Sequence, residues 1–528
     1  MSRLPSYHRL MRTDGSGGEI LRILTIMFLI LLCLISLLCL YLELRISILH
    51  PSNDAYILQA VGRGILNGLM PYQEIFDPKP PGIFLLNTIS LFLFGDRTLM
   101  TILIYALSIV FVVIALIASW HHAHRLPFWQ FIFILSGGLL VGMILAIWHA
   151  KRAYWPDFHA TIFCLFYALS LVIPMPQKTR IFLGGICIFL VAFLREPLIL
   201  VFLSIGLLFT APSWQSFTTT LILPGSIGLV LWIAVMWLLG YLGPYLDIYL
   251  PTIMIRRGSE QFIVWGLALE EMILSLWYIS PFFVPAIGGM TTVVLLHSHK
   301  PKISRTWKLL MGHWLRFFIA LLMTMIAVYP FDIGPAYTGF AIPFYSAISF
   351  LWLRELRIAI LQKRLWVIQI SYGIVGALAL TVVTYPLLHQ TELKEINRTN
   401  ETLPVQEKIA MELDAILDEC GQERYMYFGP MDQFFTGLTR HSPYGPAFFL
   451  GVNLIRKDFH GRGILENARR TNIALVWKNG IVIEKDAEPY ILDATAELRQ
   501  NFQIKPWSCM RHDFTDDLYV LLFRKIPI

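Results

Sequence analysis

Gly82–Phe94 reads GIFLLNTISLFLF, apolar almost throughout yet only 13 residues long. Crossing ~30 Å of hydrocarbon takes about 20 helical residues, so the segment is read as an interfacial or re-entrant helix. That reading sets the topology of the rest of the chain. Stretches long enough to span fall near 21–42, 98–119, 129–148, 158–175, 180–194, 197–211, 218–240, 278–296, 312–329, 336–353 and 365–387. With Gly82–Phe94 left out of these eleven, the N-terminus lies in the cytoplasm and the loop 43–97 lies outside. Lys300, Lys302, Arg305 and Lys308 then gather on the cytoplasmic side, as the positive-inside rule asks. The fold class expected is a polytopic α-helical membrane protein, N-in and C-out.

Composition supports the same class. Of 528 residues, 56% are hydrophobic and 15% charged, with a mean hydropathy of +0.63. Soluble domains carry about 25% charged residues, and this chain has too little polar surface to cover a soluble globule of its size. The charge is uneven: residues 1–390 hold 40 of the 77 charged side chains and residues 391–528 hold 37. Two domains follow, a membrane domain over 1–390 and a small extracytoplasmic α/β domain over 391–528. In the latter, Val405–Glu419 and Ile491–Phe502 read as helices, and Arg424–Phe428, Ile473–Trp477 and Leu518–Phe523 as strands. Cys420 and Cys509 both fall there and can pair if the compartment is oxidising. The net charge of +7 divides into +10 for residues 1–390 and −3 for residues 391–528, so the basic balance follows topology. No Lys/Arg run interleaved with aromatics marks a nucleic-acid partner.

The first outer loop carries the most chemistry. Ser52 or Asn53 caps a helix that begins at Asp54, and Gly68 with Pro71 ends it. Gln59, Arg63 and Asn67 recur every four residues on one face, opposite Ile57, Val61, Gly64 and Ile65, so this helix is expected to lie flat on the bilayer. Glu74, Asp77 and Lys79 follow among prolines. Each also has an ordinary reading: a first-turn acid at Asp54, solvated acids at Glu74 and Asp77, and a snorkelling cation at Lys79.

Taken together, Asn53-Asp54-Ala-Tyr56, Gly68, Pro71-Tyr72 and Asp77-Pro-Lys79-Pro-Pro81 resemble the first outer loop of GT-C glycosyltransferases. The nearest likeness is to the bacterial relatives of protein O-mannosyltransferases and lipid A aminoarabinose transferases, the family 39-like enzymes. In those proteins an acid opens a surface helix after the first span, and Lys-Pro-Pro precedes a short apolar helix. The resemblance implies an enzyme that moves a sugar from a polyprenyl-phosphate carrier to a lipid, glycan or protein acceptor at the outer face of a bacterial inner membrane. It implies Asp54 as catalytic base and Lys79 as phosphate contact, with Tyr56, Tyr72, Glu74 and Asp77 near the substrate. A phosphate leaving group needs no general acid, and direct attack inverts the anomeric carbon.

Four weaker groups complete the candidates. Arg152 and Asp157 match an Arg and an Asp of the family, Asp157 assisting Asp54 or holding a divalent metal, Arg152 meeting phosphate; an aromatic-belt anchor is the competing reading. Phe193-Leu-Arg195-Glu196-Pro resembles a Thr-Lys-Glu signature, with Arg195 for donor phosphate and Glu196 at the substrate. Arg256 and Arg257 suit phosphate or anionic lipid equally. Tyr337 follows Ala336, where the family commonly has His. No metal site is legible, and the cofactor is left open. The rival reading is a transporter or flippase of lipid-linked saccharides, against which stand the lack of an internal repeat and the placement of charge in loops. A non-catalytic envelope sensor is a third.

Overall fold

The structure is a computed structural model. It describes residues 53–96, 156–173, 175–210, 213–254, 391–428, 435–444, 459–478, 489–504 and 519–525, with shorter pieces at 98–110, 315–324 and 507–516. Among the described residues helices predominate, and the strands lie in the C-terminal part.

Helix α1, Asn53–Leu66, ends in a glycine cap. Gly68 takes φ 83°, its N–H meets Ile65 O, and Leu69 N–H reaches back to Gly64 O at 2.9 Å. That pair of bonds closes the helix and requires the left-handed conformation that glycine adopts cheaply. Helix α2, Pro81–Phe94, starts on a proline whose missing N–H is harmless in a first turn, and stops at Gly95 with φ 76°. Its 14 residues extend about 21 Å, short of a bilayer, as the sequence reading requires. Thr88 Oγ1 donates to Gly62 O where α1 and α2 pack.

Four apolar helices follow: α3 (Pro156–Val172), α4 (Gln177–Leu194), α5 (Leu198–Phe209) and α6 (Trp214–Leu238). Among the described residues α4 and α6 are long and apolar enough to cross a membrane. Their crossing is built on small residues: a Cβ at Gly185 would run into Ile227, and one at Gly228 into Ile188. Leu229, Val230, Trp237 and Leu238 of α6 remain exposed. The stretches read as spans at 158–175 and 197–211 fall on the shorter helices α3 and α5. Those at 21–42, 129–148, 278–296, 336–353 and 365–387 lie outside the described residues, and those at 98–119 and 312–329 are described only in part.

The C-terminal part runs α7 (Thr391–Glu419), β1 (Arg424–Phe428), the single turn α8 (Phe435–Leu438), β2 (Ser442–Pro443), α9 (Phe459–Arg470), β3 (Ile473–Trp477), α10 (Pro489–Asn501), β4 (Phe502–Gln503) and β5 (Tyr519–Arg524). The sheet order is β2-β1-β3-β5-β4, with β1 parallel to β2 and β3, and β5 antiparallel to β3 and β4. Side chains alternate between two faces. Tyr425, Tyr427, Ile473, Leu475, Leu521 and Phe523 meet Ile409, Leu413, Ile416 and Leu417 of α7. Met426, Phe428, Ala474 and Val476 meet Ile464 and Ala468 of α9 and Ala494 and Leu498 of α10. A sheet covered on both faces wants runs that are apolar at every position, and RYMYF and IALVW are close to that. Cys420 at the end of α7 is disulfide-bonded to Cys509, with Cα atoms 5.3 Å apart.

The polar stripe of α1 departs from expectation. Gln59 is buried, and Asn67 donates to Ser442 Oγ at 2.9 Å and to Arg440 O. A Cβ at Gly437 of α8 would overlap the Tyr56 backbone, so α8 sits directly on α1. Burial lowers the Arg63 guanidinium pKa, while Asp414 and Tyr425 oppose that shift. The helix expected to lie flat on a bilayer has protein on both sides, α2 below and the 437–442 segment above. The amphipathic pattern was real; its polar side meets a folded partner in place of water.

Candidate functional site

The site is built on the turn between α1 and α2. Tyr72 N–H bonds to Ile75 O at 2.8 Å, and Glu74 N–H to Met70 O at 2.9 Å. Tyr72 takes φ 70°, which glycine adopts freely and a tyrosine adopts at a cost of about 1–2 kcal/mol. Its ring is fully buried, and its hydroxyl donates to the Lys79 carbonyl at 2.9 Å. Prolines at 78, 80 and 81 restrict φ around Lys79 and remove competing donors. Lys79 Nζ lies 3.0 Å from Asp77 Oδ2 and 3.3 Å from Oδ1. Asp77 is 2% exposed, and the Lys79 side chain 15%. Asp77 thus holds the Lys79 ammonium in place.

A second turn lies against the first. Arg195 caps α4 in an extended conformation, its N–H bonded to Val191 O at 2.7 Å, and Glu196 follows before α5. A Cβ at Gly82 would sit 2.5 Å from the Phe193 carbonyl oxygen, so the start of α2 touches the last turn of α4. Glu196 receives two tyrosine hydroxyls: Tyr245 at 2.7 Å on Oε1 and Tyr249 at 3.3 Å on Oε2. Both tyrosines sit on a π-helical turn, Tyr245–Tyr249, whose i, i+4 ends face the same way. Tyr72 packs against Tyr249 and Tyr245 with ring centroids 5.1 and 6.2 Å apart. Trp232 meets Tyr245 edge-on from α6.

Electrostatics follow burial. Burial pushes the Glu196 carboxyl above the ordinary glutamate range, while the Tyr245 hydroxyl and the nearby Arg195 charge hold it down. Burial also drives the Tyr72 and Tyr249 phenols well above ordinary tyrosine, with Glu196 adding to the rise at both. These hydroxyls therefore stay protonated and remain donors at physiological pH.

The expected site residues divide clearly. Lys79, Asp77, Tyr72, Arg195 and Glu196 come together on the two adjoining turns. Tyr56 is buried in α1 beneath Gly437. Glu74 is exposed and accepts the Met70 N–H at 2.7 Å. Asp54 and Asp157 lie in the first turns of α1 and α3, their side chains outside the described residues. Arg152, Arg256, Arg257 and Tyr337 also lie outside them. Tyr245 and Tyr249 had no expected role, since Glu196 lies 49 and 53 residues away from them in the chain and no local pattern links them. Among the described residues no group of three or more His, Cys, Asp or Glu side chains is arranged to hold a metal ion. No model of a known protein family matches the chain, and no curated protein matches it.

Proposed function

We propose that this protein is a polytopic GT-C glycosyltransferase of the bacterial inner membrane, inverting, that takes a sugar from a polyprenyl-phosphate carrier and passes it to a cell-envelope acceptor at the outer face. The observation that carries the reading is the meeting of the Lys79 and Arg195 turns, two cation-bearing segments far apart in sequence, through Gly82 and Tyr72. Two cations on adjoining turns suit the phosphate of a lipid-linked donor. Asp54 is the base. The acceptor oxygen forms the bond to the anomeric carbon, the bond from that carbon to the phosphate oxygen breaks with its electrons onto the phosphate, and the acceptor's proton passes to the Asp54 carboxylate.

The Asp77–Lys79 pair suits this chemistry. A donor phosphodiester carries one negative charge, and the departing polyprenyl phosphate carries nearly two. An ammonium already facing Asp77 gains little from the first and more from the second, so it favours the transition state over the ground state. The C-terminal sheet unit, seated on α1, the helix that carries Asp54, fits an extracytoplasmic cover, and the Cys420–Cys509 disulfide fits an oxidising compartment.

The test uses the purified full chain, a radiolabelled polyprenyl-phosphate sugar and an envelope-lipid extract. Asp54→Asn is expected to lower transfer at least about 10²-fold with unchanged folding. Undiminished transfer by that variant would remove Asp54 as the base.

A further inference from the structure

We infer that Glu196, Tyr245, Tyr249 and Tyr72 are positioning residues that lock the Lys79 and Arg195 turns into one anion-binding unit. The inference rests on the donor reading above and extends it to residues that do not touch the donor.

The surroundings of these turns are apolar: Ile57, Val61, Ile75, Phe84 and Met236 pack around Tyr72, Tyr245 and Tyr249. Such packing is strong but non-directional, and cannot by itself hold two cations in register. Hydrogen bonds are directional, and here they anchor both ends of a path whose middle is a contact between tyrosine rings. Arg195 is joined by a peptide bond to Glu196. Glu196 takes one hydroxyl on each oxygen, from Tyr245 and Tyr249. Those rings hold the Tyr72 ring, and the Tyr72 hydroxyl fixes the Lys79 carbonyl at 2.9 Å. The conformation of Tyr72 is the second observation. A left-handed tyrosine persists only where its surroundings over-determine it, and such residues gather at functional sites. Glycine would fit this left-handed position without strain; a tyrosine here places its ring against Tyr249 and its hydroxyl on the Lys79 carbonyl.

The experiment measures binding of undecaprenyl phosphate and of undecaprenol to the full-length protein in detergent, read as ligand-dependent shifts in thermal unfolding. The ratio of the two affinities isolates the phosphate from the prenyl tail. The Tyr245→Phe/Tyr249→Phe double variant keeps both rings, and is expected to lose about tenfold in that ratio while undecaprenol binding stays unchanged. Tyr72→Phe is expected to move the ratio in the same direction and less. A merely structural role would weaken both lipids together and leave the ratio intact. Lys79→Ala separates the two levels. If Lys79→Ala loses the phosphate preference and the tyrosine variants keep it, the positioning inference is overturned and the donor reading stands. If Lys79→Ala keeps the preference, phosphate contact by Lys79 fails, and the positioning role fails with it.

Discussion

The Lys79–Glu196 region and the C-terminal sheet both bury tyrosines, and their hydroxyls reach partners at different distances along the chain. In the sheet, Tyr425 and Tyr427 are placed on one face by a two-residue period, packed among Leu413, Leu475 and Phe523, and the Tyr425 hydroxyl meets only a near neighbour in the chain, Thr439 Oγ1 at 3.2 Å. Around Glu196, the tyrosines serve through their hydroxyls, joined to a carboxylate and a main-chain carbonyl on distant segments. The first arrangement should be most sensitive to changes of volume. The second should be most sensitive to loss of its hydroxyls. Where order comes from area, stability is the sensitive quantity; where it comes from hydrogen bonds, geometry is.

The strongest way to break this contrast is to add or remove volume. Leu413→Ala, at the centre of the α7–sheet core, is expected to cost about 2–5 kcal/mol, seen as a lower unfolding temperature of the full chain. Its ratio of undecaprenyl phosphate to undecaprenol binding should not change. Loss of that ratio would show that the two regions share one cooperative structure. Cys420→Ser tests the staple at the end of α7 and should cost about 2–4 kcal/mol, with no further loss when a reductant is added. An equal loss from reductant in the variant would mean that another thiol is involved.

A subtler test uses pH. The Glu196 carboxyl titrates above its ordinary value in the folded chain because of burial. The folded state therefore binds the proton more tightly than the unfolded state. The stability this confers is fully present below the ordinary value of 4.5 and is lost as pH rises through the raised folded value. Glu196→Gln removes the titration and keeps an acceptor oxygen. The difference in unfolding temperature between the two proteins should shift in favour of the variant across that window, and a flat difference would sink the assignment. The smallest effect belongs to Asp418, which bonds His441 Nε2 at 2.9 Å and Arg440 Nη2 at 2.6 Å. Those bonds lower its pKa, so its contribution is present above 3.8 and lost as pH falls through the lowered value. With the side chain half exposed, Asp418→Asn should cost no more than about 0.5 kcal/mol at neutral pH.

Much of this was written locally in the chain. The strands RYMYF and IALVW occupy the residues their composition indicated, because β-branched and aromatic side chains in a short apolar run suit a sheet covered on both faces. Gly82–Phe94 is a helix too short to span, and Gly68 ends α1, since length and glycine's freedom at positive φ act within a few residues. Tertiary structure decided what lies across space. It put α8 on the Gln59–Asn67 face of α1, where periodicity indicated only that a polar partner of some kind was needed, water or protein. It joined Cys420 to Cys509, which the sequence allowed but did not require. It also gave Glu196 two tyrosine donors from beyond α6 and tied them through Tyr72 to Lys79. Periodicity encodes how much of a residue is buried, and no local pattern encodes which distant hydroxyl will meet a buried carboxylate.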